Sequence, residues 1–409
     1  MKRIGLVCLG LVLAANTANA QLTMQMSNGW TFSFAGNVNA FIFYEKSNSD
    51  GATAAPGGLV PPGGAVNQTV ITTGLLPAFA VFDAKGKEGN TDLSVHFGFA
   101  PEVQCATGVH DCFGAQIDMR QVFLTVGGGW GQLLVGRELG LYQRQNILTD
   151  QTLFGVGGTG RDGSSGSVGQ QSGTTLGRIG YGYTYPNFRA QMTYSTAAGK
   201  PYNFAIGLYE ATALGDYDNV RYPRVESEFA YSASGFKGWL GGALQSTKTA
   251  PTGPSESLTA WGGSAGLRYE RPVFSFTASG YYSRGLGTTL ESFENGVCSA
   301  ALLGCGANGS DDARPSYGYI GQITVTPPNS KVTIAGSYGS SILKESDTEE
   351  AAGANFKTEN TLISGGVYFQ ATKSLKVVGE FNYAWTKEKV SDPEKNSSFA
   401  PAIGFMLFF

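Results

Sequence analysis

The stretch that decides the reading is QIDMRQVFLTVGGGWGQLLVGR (residues 116–137), with the glycine-rich run behind it, LTDQTLFGVGGTGRDGSSGSVGQQSG (residues 148–173). Alternation predicts two strands, Gln116–Val126 and Gly131–Arg137, joined by a tight turn. A loop runs from about Leu139 to Thr175, and alternation resumes over Leu176–Tyr185. There Arg178, Gly180, Gly182 and Thr184 share one side, and Ile179, Tyr181, Tyr183 and Tyr185 the other. A loop this long inside a compact domain is functional or disordered. With so little helix signal around it, it reads as a flap folded into the mouth of a β-barrel, with glycines leaving room on the inner side.

The rest of the chain reads as the wall. Period-two alternation puts Trp30, Phe32, Phe34, Val38, Ala40, Ile42 and Tyr44 on one face, and Thr31, Ser33, Asn37 and Asn39 on the other. The pattern recurs at Leu93–Phe99, at Phe274–Tyr282 and at Leu375–Trp385. An apolar face beside a polar one suits lipid outside and water inside. Short turns alternate with long loops, and seven turns with eight loops make an all-β, antiparallel transmembrane barrel of sixteen strands. The span Tyr202–Glu210 is the ambiguous one. It is read as an extension of the seventh strand or part of the fourth loop, and an eighteen-stranded barrel is the alternative. The last strand is Ser398–Phe409, with Phe399, Ile403, Phe405, Leu407 and Phe409 on one face.

Composition agrees. Charged residues are 14%, where about 25% is usual for soluble domains. Aromatics are 12% and glycine is 59 of 409. Residues 1–20 read as a secretory signal: Lys2 and Arg3, an apolar run from Ile4 to Ala15, and a small-residue site at Ala18–Ala20. The barrel is then 21–409. The net charge of −3 becomes −5 without Lys2 and Arg3, so no basic excess points to nucleic acid. Two matches to enzyme motifs lack their context. Gly155, Gly157 and Gly160 fit a dinucleotide pattern with no βαβ unit. Gly262–Gly266 spells a nucleophile elbow inside a strand. No catalytic residue, cofactor or metal is expected, and His96 reads as a lumen lining residue.

The remaining cysteines form two local pairs, Cys105 with Cys112 and Cys298 with Cys305. In an exported chain these read as loop-closing disulfides. Zinc at Cys105, His110 and Cys112 is the rival, with an incomplete ligand set.

MRQVFLTVGGGWGQLLVGRELG, LTDQTLFGVGG and GRIGYGYTY resemble the wall, third loop and following strand of Gram-negative outer-membrane general (diffusion) porins. The resemblance covers about seventy residues and is architectural elsewhere. It implies a homotrimer in the outer membrane, among lipid and lipopolysaccharide. Such a barrel passes small hydrophilic solutes and ions by passive diffusion; a substrate-selective channel with a lumen binding site is the alternative. By resemblance, Arg120 and Arg178 stand on the wall opposite an acidic Asp150 on the loop. Arg189 and Arg224 fall on lumen parity as further pore-lining residues, beside Arg268, Glu226 and Glu228. Asn37 and Val81 stand where many relatives carry a lysine and an arginine, which weakens the expected field. Arg137 points outward with Leu133 and Val135, and the resemblance pairs it with an acid on a neighbour's second loop, Glu102 or Asp111. Phe405, Leu407 and Phe409 resemble the C-terminal signal read by the outer-membrane assembly machinery.

Overall fold

The computed structural model describes residues 22–27, 29–49, 55–60, 67–104, 117–160, 173–249, 255–289, 295–298, 302–389 and 395–409. The expected signal segment, Cys105, Cys112 and Asp111 lie outside these. The strand segments run β1 (Leu22–Gln25), β2 (Thr31–Ser49), β3 (Asn67–Thr72), β4 (Phe79–Glu88), β5 (Thr91–Pro101), β6 (Ile117–Gly128) and β7 (Gly131–Leu139). Next come β8 (Phe188–Ser195), β9 (Tyr202–Tyr209), β10 (Arg224–Ala233), β11 (Phe236–Lys248), β12 (Ser257–Glu270) and β13 (Phe274–Arg284). The last are β14 (Pro315–Val325), β15 (Val332–Lys344), β16 (Lys357–Gln370), β17 (Leu375–Glu388) and β18 (Lys395–Phe408).

From β4 onward each strand pairs antiparallel with the next, and β18 returns to β2 with Phe408 opposite Asn37. The sheet is therefore a closed cylinder without an open edge, the form that satisfies every backbone group in lipid. β3 and β4 both pair with β2, at residues 41–46 and 31–37, so they are halves of one stave. β1 is a short addition paired with the first four residues of β2, Thr31 to Phe34. Eighteen segments thus make a sixteen-stranded barrel. Phe409 completes the seam: its N–H and C=O bond the carbonyl and amide of Gly36, at 3.0 and 2.8 Å.

Outward rows are exposed and apolar, as at Val38, Ile42 and Tyr44 on β2 and at Phe399, Ile403, Phe405 and Leu407 on β18. Inward rows are largely polar, as at Asn37, Asn39, Glu45 and Ser47. The expected alternation holds on these strands. The interior is less uniformly wet than it predicts. Phe41, Phe43, Leu76, Phe79, Met406 and Phe408 form a buried cluster on the inner side, and Val156 packs into it.

Two assignments are corrected. Leu176–Tyr185 is no wall strand, although its tyrosines alternate. Gly177, Gly180 and Gly182 have φ of +57°, +80° and +145°, left-handed values that coil the backbone. Ile179, Tyr181 and Tyr183 are buried rather than lipid-facing. Conversely, Tyr202–Tyr209 is a strand in its own right, β9, paired with β8 and β10. Tyr202, Phe204, Ile206 and Leu208 are exposed along it, while Ala205 and Tyr209 are buried inward. One stave lost and one gained leave sixteen, so every later connection keeps its end of the barrel. The turn expected at Pro186–Asn187 is instead residues 196–201, and the long loop runs from 140 to 187.

The β9 assignment is testable. Ile206→Arg should destabilise the folded barrel by about 2–4 kcal/mol if the residue faces lipid near mid-depth. The measurement is urea titration of the heat-modifiable gel shift; an unchanged midpoint contradicts a wall position.

Candidate functional site

The segment 140–187 begins with a short helix, α1 (Arg144–Thr149), and a 3-10 turn (Gln151–Phe154). Asp150 caps that turn, accepting from the Thr152 amide at 2.9 Å and its hydroxyl at 2.6 Å. Alternation cannot anticipate where the segment goes, because its partners are far apart in sequence. On β10, Glu226 accepts from the Tyr142 amide at 3.0 Å, and Glu228 makes a two-bonded ion pair with Arg144. On β11, Trp239 donates its indole N–H to Asn146 at 2.9 Å. On β14, Gln322 accepts from the Gln151 amide and donates to the Thr149 carbonyl, at 2.7 and 3.0 Å. On β17, Glu380 accepts from the Val156 and Gly157 amides at 2.7 and 3.0 Å, and from Tyr368 at 2.7 Å. On β2, Glu45 accepts from Thr159. These partners sit on inward rows around most of the cylinder.

The glycines of the dinucleotide-like spelling have a packing reason. A Cβ on Gly155 would lie 2.0 Å from Glu380 Oε1. Gly157 has φ +59° and lies against the backbone of Gly177. Residues 55–60 and 73–78 join from the first loop and the broken stave. Leu59 and Val60 donate their amides to Thr386, and Leu75 N–H bonds the Gly155 carbonyl.

The sequence-predicted residues divide. Arg178 belongs to the loop, not to a wall strand, because its stretch is coiled. It is fully buried, bonding Ser337 on β15 and the Leu362 carbonyl on β16 at 3.0 and 2.9 Å. Burial pulls the Arg178 guanidinium below its ordinary value, against the pull of Asp150. Asp150 is buried within its own loop and accepts from Tyr183 at 2.7 Å. Burial, and then the Asp150 charge, push the Tyr183 hydroxyl well up. Arg120 is on the inner wall at a bulge in the β5–β6 register, which turns both Arg120 and Gln121 inward. Its Nε donates to Asp118 at 2.8 Å. Arg224 pairs with Glu226 at 2.7 Å, fully buried, and Arg189 donates to the Glu210 carbonyl. His96 faces inward and pairs with Asp83 at 2.9 Å.

Arg137 is exposed on the outer face, opposite Val122 and Ala190 in the sheet. Glu102 turns toward Gly173 of its own chain, where burial raises its carboxyl and Arg120 pulls it back. Cys298 and Cys305 are disulfide-bonded, so the neighbouring Asp312 has no thiolate partners for a metal. Asp312 instead takes hydrogen bonds from Tyr217 and Thr348, tying the loops at that end. Sequence reasoning missed Glu380, Gln322 and Trp239. Their inward parity was legible, but their loop partners were not.

No family model matches the chain. No curated protein matches it. Solved structures do. The outer membrane channel DcaP of Acinetobacter baumannii aligns with a TM-score of 0.66 over 94% of this chain and 99% of its own, at 10% identity. The fold is that of outer-membrane porins. An anion-selective porin from Comamonas acidovorans aligns at 0.61, with 12% identity, over 93% and 100% of the two chains. Salmonella typhi OmpF, in complex with daunomycin, aligns at 0.53, with 13% identity, over 95% and 100%. At these identities the likeness is one of fold.

If Glu380 holds the loop of this porin fold, Gly155→Ala should dislodge it. The added methyl collides with the carboxylate that Val156 and Gly157 need. Limited proteolysis should then cut within 155–175 several times faster than in the parent, in a barrel that still shows its gel shift. Equal cutting contradicts the contact.

Proposed function

We propose that the protein is an outer-membrane diffusion channel for small hydrophilic solutes and ions, assembled as a homotrimer. The observation that carries this reading is a closed cylinder with an apolar outer face and a largely polar inner one, with residues in 140–160 and 173–187 hydrogen-bonded to several inward strands. A pore selects by the width and field at its narrowest point. In this reading residues 140–160 and 173–187 narrow the cylinder, and the short turns face the periplasm. Arg120, Arg178, Arg189, Arg224 and Asp150 are each hydrogen-bonded or ion-paired within the wall or the loop. They therefore act first as fasteners and shape the field second, which points to weak charge preference at the loop.

Arg137 is the trimer contact in this proposal. Among the described residues it has no ion-pair partner, and an arginine on a lipid face costs about 2–4 kcal/mol at mid-depth. An acid from a neighbouring subunit would remove that cost. Glu102 and Asp111 are the acids proposed for that role. Phe409, locked onto Gly36, is read as the assembly signal together with Phe405 and Leu407. The substrate-selective alternative draws on the apolar cluster against the inner wall, and saturating flux in liposome swelling would favour it.

Purified protein in planar bilayers should give discrete conductance steps with a reversal potential near zero under a salt gradient. No steps at all contradicts the channel. Arg137→Ala should lower the melting temperature of the trimer on semi-native gels by several degrees; an unaltered temperature contradicts the contact.

A further inference from the structure

At the turn end of the barrel a cavity of about 960 Å³ opens below the loop. Its floor is the helical part of the segment 140–187, including Leu148, Leu153 and Phe154. Its charge is one-sided. Lys237, Arg268, Arg271 and Lys376 line it, against the carboxylates Asp150 and Glu270 alone. Asp150 is occupied by Thr152 and Tyr183, and Glu270 by Arg268 at 3.1 Å. Arg271 donates to the Ser234 carbonyl at 3.2 Å and lies over the Tyr269 ring, which leaves the two lysines. Lys237 lies directly opposite Arg268 across β11 and β12, a like-charge pairing that destabilises a sheet. Lys376 has the Phe154 ring 3.8 Å from its Nζ. Among the described residues neither lysine has an ion-pair partner.

A neutral group points the same way. Gln151 lines the cavity and is only 6% exposed, yet neither its Nε2 nor its Oε1 has a hydrogen-bond partner. A buried amide without partners is destabilising until something bonds it. A donor to spare, two unmatched ammoniums and an apolar floor make one recognition surface.

We infer that this vestibule is a binding site for a small organic anion that joins a carboxylate to an apolar body. The carboxylate takes Lys376, Lys237 and the Gln151 amide; the apolar part lies on Leu148, Leu153 and Phe154. A bare, strongly hydrated anion gains the charges but must give up water against that floor. That the site faces the periplasm rests on the channel reading above; that it binds does not.

The test is equilibrium dialysis of labelled benzoate against the full chain folded in detergent, with inorganic phosphate as the second probe. Benzoate should bind saturably and more tightly than phosphate. K376Q and K237Q should each weaken it about tenfold, and K376R should restore most of the affinity. All variants should keep the heat-modifiable shift. Absence of saturable benzoate binding, phosphate binding as tightly, or equal affinity in the K237Q/K376Q double variant overturns the site. A barrel that binds benzoate yet never conducts would overturn the channel and leave the site standing.

Discussion

A peptide segment can lie against the inside of a barrel only where the wall gives its polar groups partners. In this chain the wall does so at intervals around its circumference. Glu226, Gln322 and Glu380 each accept from loop amides, and Ser341 accepts from Gly182 at 2.9 Å. Buried amides left unpaired would each cost about 1–3 kcal/mol, so the wall's acceptors decide where the segment can run. The apolar cluster of Phe41, Leu76, Phe408 and Val156 fixes the depth of the segment, and the carboxylates fix its path.

That constraint explains how the charges are spent. Arg178 and Arg224 are buried and bonded, Arg144 is half-buried and ion-paired, and Glu226, Glu228 and Glu380 face loop or wall groups rather than open water. A buried ion pair is weak evidence of net stability, because desolvation offsets its attraction. Its geometric specificity is the firmer contribution. The exceptions, Lys237 and Lys376, stand at the turn end, where the vestibule is open.

The wall was legible from the chain alone because a strand's two faces alternate and lipid demands that one be apolar. Val38 to Tyr44 and Phe399 to Leu407 show it plainly. Leu176–Tyr185 misled for the same reason. Its tyrosines alternate to fill the interior, and the positive φ of Gly177, Gly180 and Gly182 is not written in a period. Tyr202–Tyr209 met the opposite fate, since short length and a flanking loop disguised a true stave. The candidate site was legible only in part. Inward parity located Arg189 and Arg224, and resemblance located Arg120, which a bulge turns inward against its strand's parity; a contact such as Gly155 with Glu380 joins residues more than two hundred positions apart, and no local pattern encodes it.

The most direct measurement is a short thiol crosslink between loop and wall. Thr159 and Ser398 both donate to Glu45 Oε1, at 2.7 and 2.8 Å. With the native cysteines replaced by serine, Thr159→Cys with Ser398→Cys should crosslink in high yield through a one-carbon reagent in the folded barrel, and not after denaturation. Failure to crosslink in a barrel that keeps its gel shift would place the loop away from the inner wall and contradict the account.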